Sequence, residues 1–228
     1  MGLEQRNEGK YITILGGKFC QRVPEGTPES VTRVNKVGNT VHEMFYNSFT
    51  GKLIDIKVTE SSYGKSWNFD FKDKEDVYTL QLSYSNSFST AFLKMLPNVD
   101  LTKEMKVSPS TKEVDGKNKS SLFINQDGVA LKHAYTRALP NGMPDMEQVV
   151  VKGVQVWDDT KRIEFLHNMV QTLIMPKLAQ AKLDATQAPR ALQAPAPATL
   201  PDNKANEASF NAGLTPATPA PAVVDTDF

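Results

Sequence analysis

The stretch that decides the fold is residues 45–84, which read FYNSFTGKLIDIKVTESSYGKSWNFDFKDKEDVYTLQLSY. Apolar and polar residues alternate through three segments of this stretch: 52–60, 66–72 and 77–84. Alternation with a period of two places one face of a strand in a core and the other in water. The Ser-Ser-Tyr-Gly sequence at 61–64 has turn composition, so the first two segments are predicted to form a hairpin.

Strand patterns continue on both sides of these three segments. Residues 11–23 are β-rich, and the Gly16–Gly17 pair predicts a bulge or sharp bend there. Residues 88–96 fit a short helix that Pro97 ends. Further strands are predicted at 104–114, at 122–126 and 129–135 as a hairpin across Asp127–Gly128, and at 148–157 as the final strand.

One strong helix pattern follows the last strand. Asp158 and Asp159 are placed where an N-cap and a negative first turn belong. Pro176 is predicted to kink or end this helix. The apolar stripe at helical spacing consists of Ile163, Leu166, Met169, Val170, Leu173 and Ile174.

The composition changes abruptly near residue 183. Residues 1–182 hold 24 Lys and Arg against 21 Asp and Glu, whereas residues 183–228 hold 2 against 5. The last 46 residues also contain 12 Ala and 7 Pro, too few bulky apolar groups to offset the entropy of ordering the chain. We therefore predict one folded domain at 1–182 and a disordered, flexible linker at 183–228.

Several classes of protein are disfavoured by what the sequence lacks. The single cysteine, Cys20, rules out an intrachain disulfide, and the polar N-terminus has no signal-peptide pattern. No apolar run reaches membrane-spanning length, so we expect a soluble, cytoplasmic protein without membrane partners. The three histidines are scattered, and neither a phosphate-binding glycine loop nor a nucleophile elbow occurs. We expect no enzyme activity, no cofactor and no metal.

Many short strands around a mid-chain helix predict an all-β fold with minor helix: an OB-fold-like antiparallel barrel with a C-terminal helix and a disordered tail. Residues 45–84, with Gly51–Lys52–Leu53 starting a strand and Tyr63–Gly64–Lys65 at a turn, resemble the first half of an OB-fold single-stranded DNA-binding protein. The end of the chain, VVDTDF at 223–228, resembles the acidic, phenylalanine-terminated tip of such proteins. The barrel is longer than the bacterial type, which favours a phage or plasmid version. The likeness covers 45–157 loosely and the last residues clearly.

This resemblance implies a protein that coats single-stranded DNA without sequence preference during replication or recombination, in the host cytoplasm if a phage encodes it. Bases would stack on aromatic rings within a groove that attracts phosphate. Trp67 is weighed equally as a stacking residue and as core, while Phe69 and Phe71 are favoured as core. The candidate DNA-binding residues are Lys18, Arg22, Tyr63, Lys65, Trp67, Lys72, Tyr78 and Tyr84.

The tip is predicted to bind partner proteins. Phe228 would carry an aromatic ring and a free carboxylate together, flanked by Asp225 and Asp227. A pocket rimmed by Arg or Lys on a replication or recombination protein would accept all three. Self-association into a homo-oligomer is left open.

Two other functions remain alternatives. The first is a structural or virion-associated β-domain protein with a flexible arm. The second is a metal-dependent nuclease in which Asp55 and Lys57 share a strand face, although no second acidic ligand stands at a recognisable position.

Overall fold

The structure, a computed structural model, describes residues 10–114 and 116–187. These residues form twelve β-strands and three α-helices. The strands are β1 (Lys10–Leu15), β2 (Lys18–Val23), β3 (Val31–Val34), β4 (Thr40–Tyr46), β5 (Phe49–Ser61), β6 (Gly64–Asp73), β7 (Asp76–Ser83), β8 (Met105–Val114), β9 (Lys117–Gln126), β10 (Val129–Ala130), β11 (Glu147–Val151) and β12 (Val154–Asp158). The helices are α1 (Ser87–Met95), α2 (Thr160–Met169) and α3 (Met175–Gln187).

The three strands predicted from residues 45–84 are β5, β6 and β7, which form an antiparallel meander. Trp67 on β6 pairs with Val58 on β5 and with Leu82 on β7. Paired residues share a face of the sheet, so these three side chains point to the same side. A β-bulge between Leu53 and Asp55 interrupts the β5–β6 register and bends the long strand β5.

Helix α1 follows the meander, as predicted. The Asn86 side chain caps it by accepting a hydrogen bond from the Ser89 backbone N–H at 2.7 Å, and Pro97 lies in a 3-10 turn directly after it. Strand β8 then returns to pair antiparallel with the start of β5, and β9 completes a hairpin with β8. This order, a three-strand meander, a helix and a returning hairpin, is the OB-like order expected. The β-rich, mostly antiparallel class is confirmed.

The N-terminal part extends this unit. The predicted segment 11–23 is a hairpin, β1–β2, whose Gly16 and Gly17 form the turn with φ of 59° and 76°. Strand β1 pairs in parallel with β7, and the sheet has the order β10-β9-β8-β5-β6-β7-β1-β2-β4-β3. A Cβ on Gly17 would lie 2.5 Å from the backbone nitrogen of Thr111. The hairpin turn therefore packs directly on β8, and the sheet curls round a shared core.

The core lies inside this curled sheet. Phe69 and Phe71 on β6 meet Phe92 of α1, Trp67 stacks on Phe69, and all four side chains are buried. Phe69 and Phe92 pack edge to face with ring centroids 4.7 Å apart. Alternation on β6 has thus placed its aromatic residues inward.

The C-terminal helix packs across the core through the predicted stripe, of which only Leu173 is exposed. Pro176 does not end it. A π-helical turn at Val170–Ile174 precedes the proline, and the Met175 N–H donates to the Val170 carbonyl five residues back. This wider turn accommodates a residue that has no N–H and would crowd an α-helical carbonyl. The helix runs on to Gln187, five residues into the predicted linker, which corrects that boundary.

The predicted final strand 148–157 is wrong. The segment is a hairpin, β11–β12, which turns at Lys152 and Gly153 with φ of 51° and 80°. Positive φ at both turn residues is what a two-residue hairpin turn requires. Most of its apolar residues are exposed: Val150, Val151, Val154, Val156 and Trp157. None of the described helices combines the length and apolar character needed to cross a membrane.

Candidate nucleic-acid interface

A groove lies between β9, α1 and the start of α2, and continues toward β12. It consists of two adjoining depressions of about 410 Å³ each, which share Met146 and Arg162 in their walls. We call it the basic groove and define it by four basic and two aromatic side chains: Lys94, His133, Arg137, Arg162, Phe123 and Trp157. Five hydroxyl side chains also line it: Ser85, Ser87, Thr90, Ser120 and Ser121.

The backbone fixes His133 beside Lys94. Leu131 N–H donates to the Ile124 carbonyl at 2.8 Å, and Ala134 N–H donates to the Lys94 carbonyl at 2.8 Å. The short segment between them is therefore tied to both β9 and the end of α1. Lys94 lies in the last turn of α1, where a cation also interacts favourably with the helix dipole.

Arg162 is held in place from the opposite wall. Its Nε donates to the Pro144 carbonyl at 3.3 Å, and its side chain is only 17% exposed. The Asp145 carboxylate is 3.9 Å from the guanidinium but is itself almost fully exposed, so solvent screens this pair strongly. A guanidinium fixed in this way keeps donors available for an anion.

The basic groups perturb one another. Burial lowers the pKa of Lys94, and the nearby charge of Arg162 lowers it further. Burial likewise lowers the pKa of His133, with the Lys94 ammonium adding to the effect. Asp159 and Asp145 also line the groove and offset part of the positive charge. The mutual repulsion would be relieved by a bound anion.

The two aromatic side chains lie in the open. Phe123 is 52% exposed, because its neighbours Leu122 and Ile124 on β9 point inward. Trp157 is 61% exposed on β12, opposite Gln148. Large exposed rings next to fixed cations and hydroxyls can stack bases while the phosphates are bound.

Two of the residues predicted from sequence, Tyr63 and Lys65, lie on the hairpin that pairs with the end of β7, although neither lines the groove. Tyr63 is 93% exposed at the β5–β6 turn, and Lys65 is exposed beside it. The Tyr84 N–H donates to the Lys65 carbonyl at 3.0 Å, and Ser85, the next residue, lines the groove. The backbone of Lys65 is therefore one residue away from the groove's edge.

The structure corrects the prediction that Trp67 and Tyr84 belong to the DNA-binding surface. Trp67 is 0% exposed, with its ring stacked on Tyr84 at 5.2 Å and its indole N–H donating to the Tyr84 carbonyl. Tyr84 is half-buried, and its hydroxyl lies 3.1 Å from Nδ1 of His167. Trp67 is enclosed in the core and one face of the Tyr84 ring is covered by Trp67, so Trp67 offers no free platform to a base.

The other predicted residues lie away from the groove. Lys18 and Arg22 are exposed on β2, and Lys72 is exposed on β6 opposite Val77. Tyr78 is half-buried, with the Lys10 ammonium 5.2 Å from its ring centre. Tyr78 and Tyr84 are six residues apart along β7 and its end, which is about 20 Å of extended chain. The structure therefore does not bring these four residues to the groove.

The predicted partner-binding tip, Asp225, Asp227 and Phe228, lies outside the described residues. Asp55 and Lys57, the nuclease alternative, are described. The Lys57 ammonium lies 3.0 Å from Asp55 and 3.1 Å from Asp70, bridging two carboxylates on adjacent strands. Within 10–114 and 116–187, no group of three or more His, Cys, Asp and Glu side chains is placed to hold a metal ion.

The groove itself was missed from the sequence. Its residues come from α1, β9, the segment between β10 and β11, β12 and α2, so no local motif joins them. The one signal in the sequence was apolar alternation on β9, which places Phe123, between Leu122 and Ile124, on the outward face. Neither the protein-family models, nor the curated proteins, nor the solved structures contain a match to this chain.

Proposed function

We propose that this protein binds single-stranded DNA, without sequence preference, through the basic groove. The observation that carries the proposal is that four basic side chains and the exposed rings of Phe123 and Trp157 line two adjoining depressions. Basic groups neutralise phosphates of any sequence, and every base has a face that can stack. In a duplex the bases are already stacked on each other, so this combination favours the single strand.

The OB-like strand order is a separate argument for nucleic-acid binding. It points to a neighbouring face, because no residue of β6 or β7 lines the basic groove. In OB-folds, oligonucleotides bind across the second and third strands, near the loop that joins strands one and two and the loop that joins strands four and five. The first loop corresponds to the β5–β6 turn with Tyr63, and the second to the β8–β9 turn. The basic groove begins where β7 ends, at Ser85, and passes along β9.

The cellular role is proposed from the same reading. The protein would coat exposed strands during replication or recombination in the cytoplasm, and its acidic tip would recruit other proteins of that process. Self-association would follow from neighbouring copies on one strand.

Titration of a labelled thymidine oligonucleotide at low and high salt tests the binding proposal. Affinity should fall as salt rises, because phosphate neutralisation releases counterions. Arg162→Ala should weaken binding and reduce the salt dependence, whereas Lys36→Ala, which removes an exposed cation on the β3–β4 turn, should change little. Equal affinity for duplex and single strand, or identical behaviour of the two variants, would reject the groove as a single-strand site.

A structural role remains the second candidate, because of the β11–β12 hairpin. Its exposed valines form an apolar surface on a two-stranded sheet, and such hairpins are marginally stable alone. Concentration-dependent assembly without any oligonucleotide affinity would favour this candidate.

A further inference from the structure

A second cavity lies at the far end of β6 and β7 from the basic groove. It has a volume of about 220 Å³, and five aromatic side chains form its walls. We call it the aromatic pocket. Those side chains are Phe19, Tyr46, Phe49, Phe71 and Tyr78.

The inner walls of this pocket are fixed by ring packing. Phe49 contacts Phe19 edge to face at 4.8 Å between centroids, and Phe71 in the same way at 4.7 Å. Phe19 and Phe71 are buried, while Tyr46 is exposed and Tyr78 half-buried at the rim. The pocket is thus a preformed aromatic slot, open on the side of the two tyrosines.

Polar side chains also line the slot. Gln21, Ser48 and Asp73 are half-buried in its wall. Within the described ranges, 10–114 and 116–187, the side chains of these three residues make no hydrogen bond. Gln21 has both donors and an acceptor, whereas ionised Asp73 has acceptors only. A ligand that enters the slot therefore meets aromatic faces together with unused hydrogen-bonding groups.

We propose that the aromatic pocket binds a single guanine base. Drug-sized ligands occupy cavities of roughly 300–1,000 Å³, so this smaller slot suits one flat heterocycle. Guanine presents adjacent N–H donors, which match the Asp73 carboxylate, and an O6 acceptor, which matches the Gln21 amide. Thymine and cytosine present fewer donors to a carboxylate.

Charge argues against the chain's own acidic end as the occupant. An apolar ring would fill the slot but leave Asp73 and Gln21 without partners, and Asp73 would repel neighbouring carboxylates. The base can come from a free guanine nucleotide or from a strand of DNA, and in the second case the inference rests on the proposed function.

Calorimetric titration with dGMP, dCMP and TMP tests the pocket directly on the full chain. We expect dGMP to bind in preference to the other two. Asp73→Asn should weaken dGMP binding by about ten- to a hundredfold, because it removes a charged acceptor. Glu75→Gln, the same change at an exposed residue two positions along the chain, should leave binding unchanged. Circular dichroism melting of both variants checks that each is folded.

The source of the base is distinguished with thymidine oligonucleotides that carry one guanosine or none. Tighter binding of the guanosine oligonucleotide, lost in Asp73→Asn, identifies DNA as the source; dGMP binding without that gain identifies the free nucleotide. Equal or absent binding of the three mononucleotides, equal effects of the two variants, or displacement of dGMP by a peptide of residues 219–228 would overturn the proposal. Binding of the all-thymidine strand reports on the basic groove alone, so either idea can fail without the other.

Discussion

Of the two tryptophans of this chain, one is exposed and one is buried. Substituting each in turn therefore tests base stacking and fold stability separately. Trp157 is exposed in the basic groove. Trp157→Ala should weaken binding to a thymidine oligonucleotide by ~1–3 kcal/mol, which is roughly 5- to 150-fold in Kd. Fluorescence anisotropy with labelled oligonucleotide measures this change. Leu139→Ala, at an exposed apolar residue outside the groove's walls, serves as the control.

Trp67→Ala should act in the opposite way. Removing a fully buried indole leaves a cavity and should reduce the free energy of unfolding by about 3–5 kcal/mol. Thermal melting measures the loss, and below the lowered Tm the folded protein should still bind DNA through the groove. Weakened binding by a Trp67→Ala protein that melts normally would contradict its assignment to the core.

His133 gives the groove a dependence on pH. Burial and the Lys94 charge lower the pKa of His133 in the free protein, whereas bound phosphate would raise it. The other charged groups that line this part of the groove are Lys94 of α1, Arg162 of α2 and Asp159, the residue before α2. The gain in affinity from protonating His133 is complete when pH is below the pKa of His133 in the free protein. It disappears as pH rises through the higher pKa of His133 in the complex.

We therefore expect the oligonucleotide to bind more tightly as pH is lowered. Within that window, Kd should decrease by up to about tenfold for each unit by which pH is lowered. Anisotropy titrations between about pH 8 and about pH 5 compare the natural chain with His133→Gln, which keeps a polar side chain but does not titrate in that range. A pH dependence as steep in His133→Gln as in the natural chain would show that another group takes up the proton.

Alternation of apolar and polar residues predicts which side chains of a strand face the core. The period of two in 66–72 correctly assigned Phe69 and Phe71 to the core and left Trp67 undecided, because a large aromatic residue suits a core and a binding face equally. Lys94, His133 and Arg162 form one site only after the chain has folded, and a residue's neighbours along the chain carry no record of that. Apolar–polar alternation therefore predicted which strand faces point inward, but it did not predict the basic groove.

The N-terminus of helix α2 is capped by Asp158, although Asp159 occupies the N-cap position. The Asp158 carboxylate accepts hydrogen bonds from the Thr160 hydroxyl at 2.6 Å and the Thr160 N–H at 3.0 Å, while the Asp159 side chain makes no capping bond. These hydrogen bonds lower the pKa of Asp158. Its stabilising effect is present above the unfolded-state pKa and is lost as pH falls through the lower folded-state value.

Asp158→Ala should consequently lower the Tm at neutral pH, and the difference from the natural chain should shrink in acid. Asp159→Ala should have a smaller effect on Tm. Calorimetric melting of both variants across the acidic range decides the matter; a larger loss from Asp159→Ala would place the cap one residue later.

Two elements show why local sequence misleads about boundaries. Pro176 predicted a kink or an end to the helix. The preceding π-turn lets the helix continue, and packing of Leu178 and Ala181 stabilises the continuation. Residues 148–157 contain a nearly unbroken apolar pattern, yet Lys152–Gly153 adopts the two positive φ angles of a hairpin turn. In both cases local backbone geometry outweighed the side-chain pattern.

For the whole molecule, the position of α3 decides how the C-terminal arm should be removed. Ala181 is buried, so truncation after residue 182 would cut into a packed helix. Deleting residues 188–228 should leave the Tm nearly unchanged. Because residues 188–228 carry 2 basic against 4 acidic residues, the deletion should keep or slightly strengthen oligonucleotide binding, most clearly at low salt.

Removing only Asp225–Phe228 should leave DNA binding unaltered and abolish capture of a polymerase, helicase or recombination protein from cells replicating the protein's own DNA. Loss of DNA binding on deleting 188–228 would mean that the arm, rather than the folded part, holds the strand. Retrieval of the same proteins with and without the four residues would show that the tip does not dock.

The parallel pairing of β1 with β7 has a consequence during synthesis. Lys10 leaves the ribosome long before Tyr78, its partner across the ladder, has been translated. At roughly 5–20 residues per second, the interval is several seconds. Throughout it, one edge of the β1–β2 hairpin carries unpaired backbone groups open to other nascent chains. The N-terminal strands thus depend on the timely arrival of the meander, and slow codons between β2 and β7 should raise aggregation without altering a single residue.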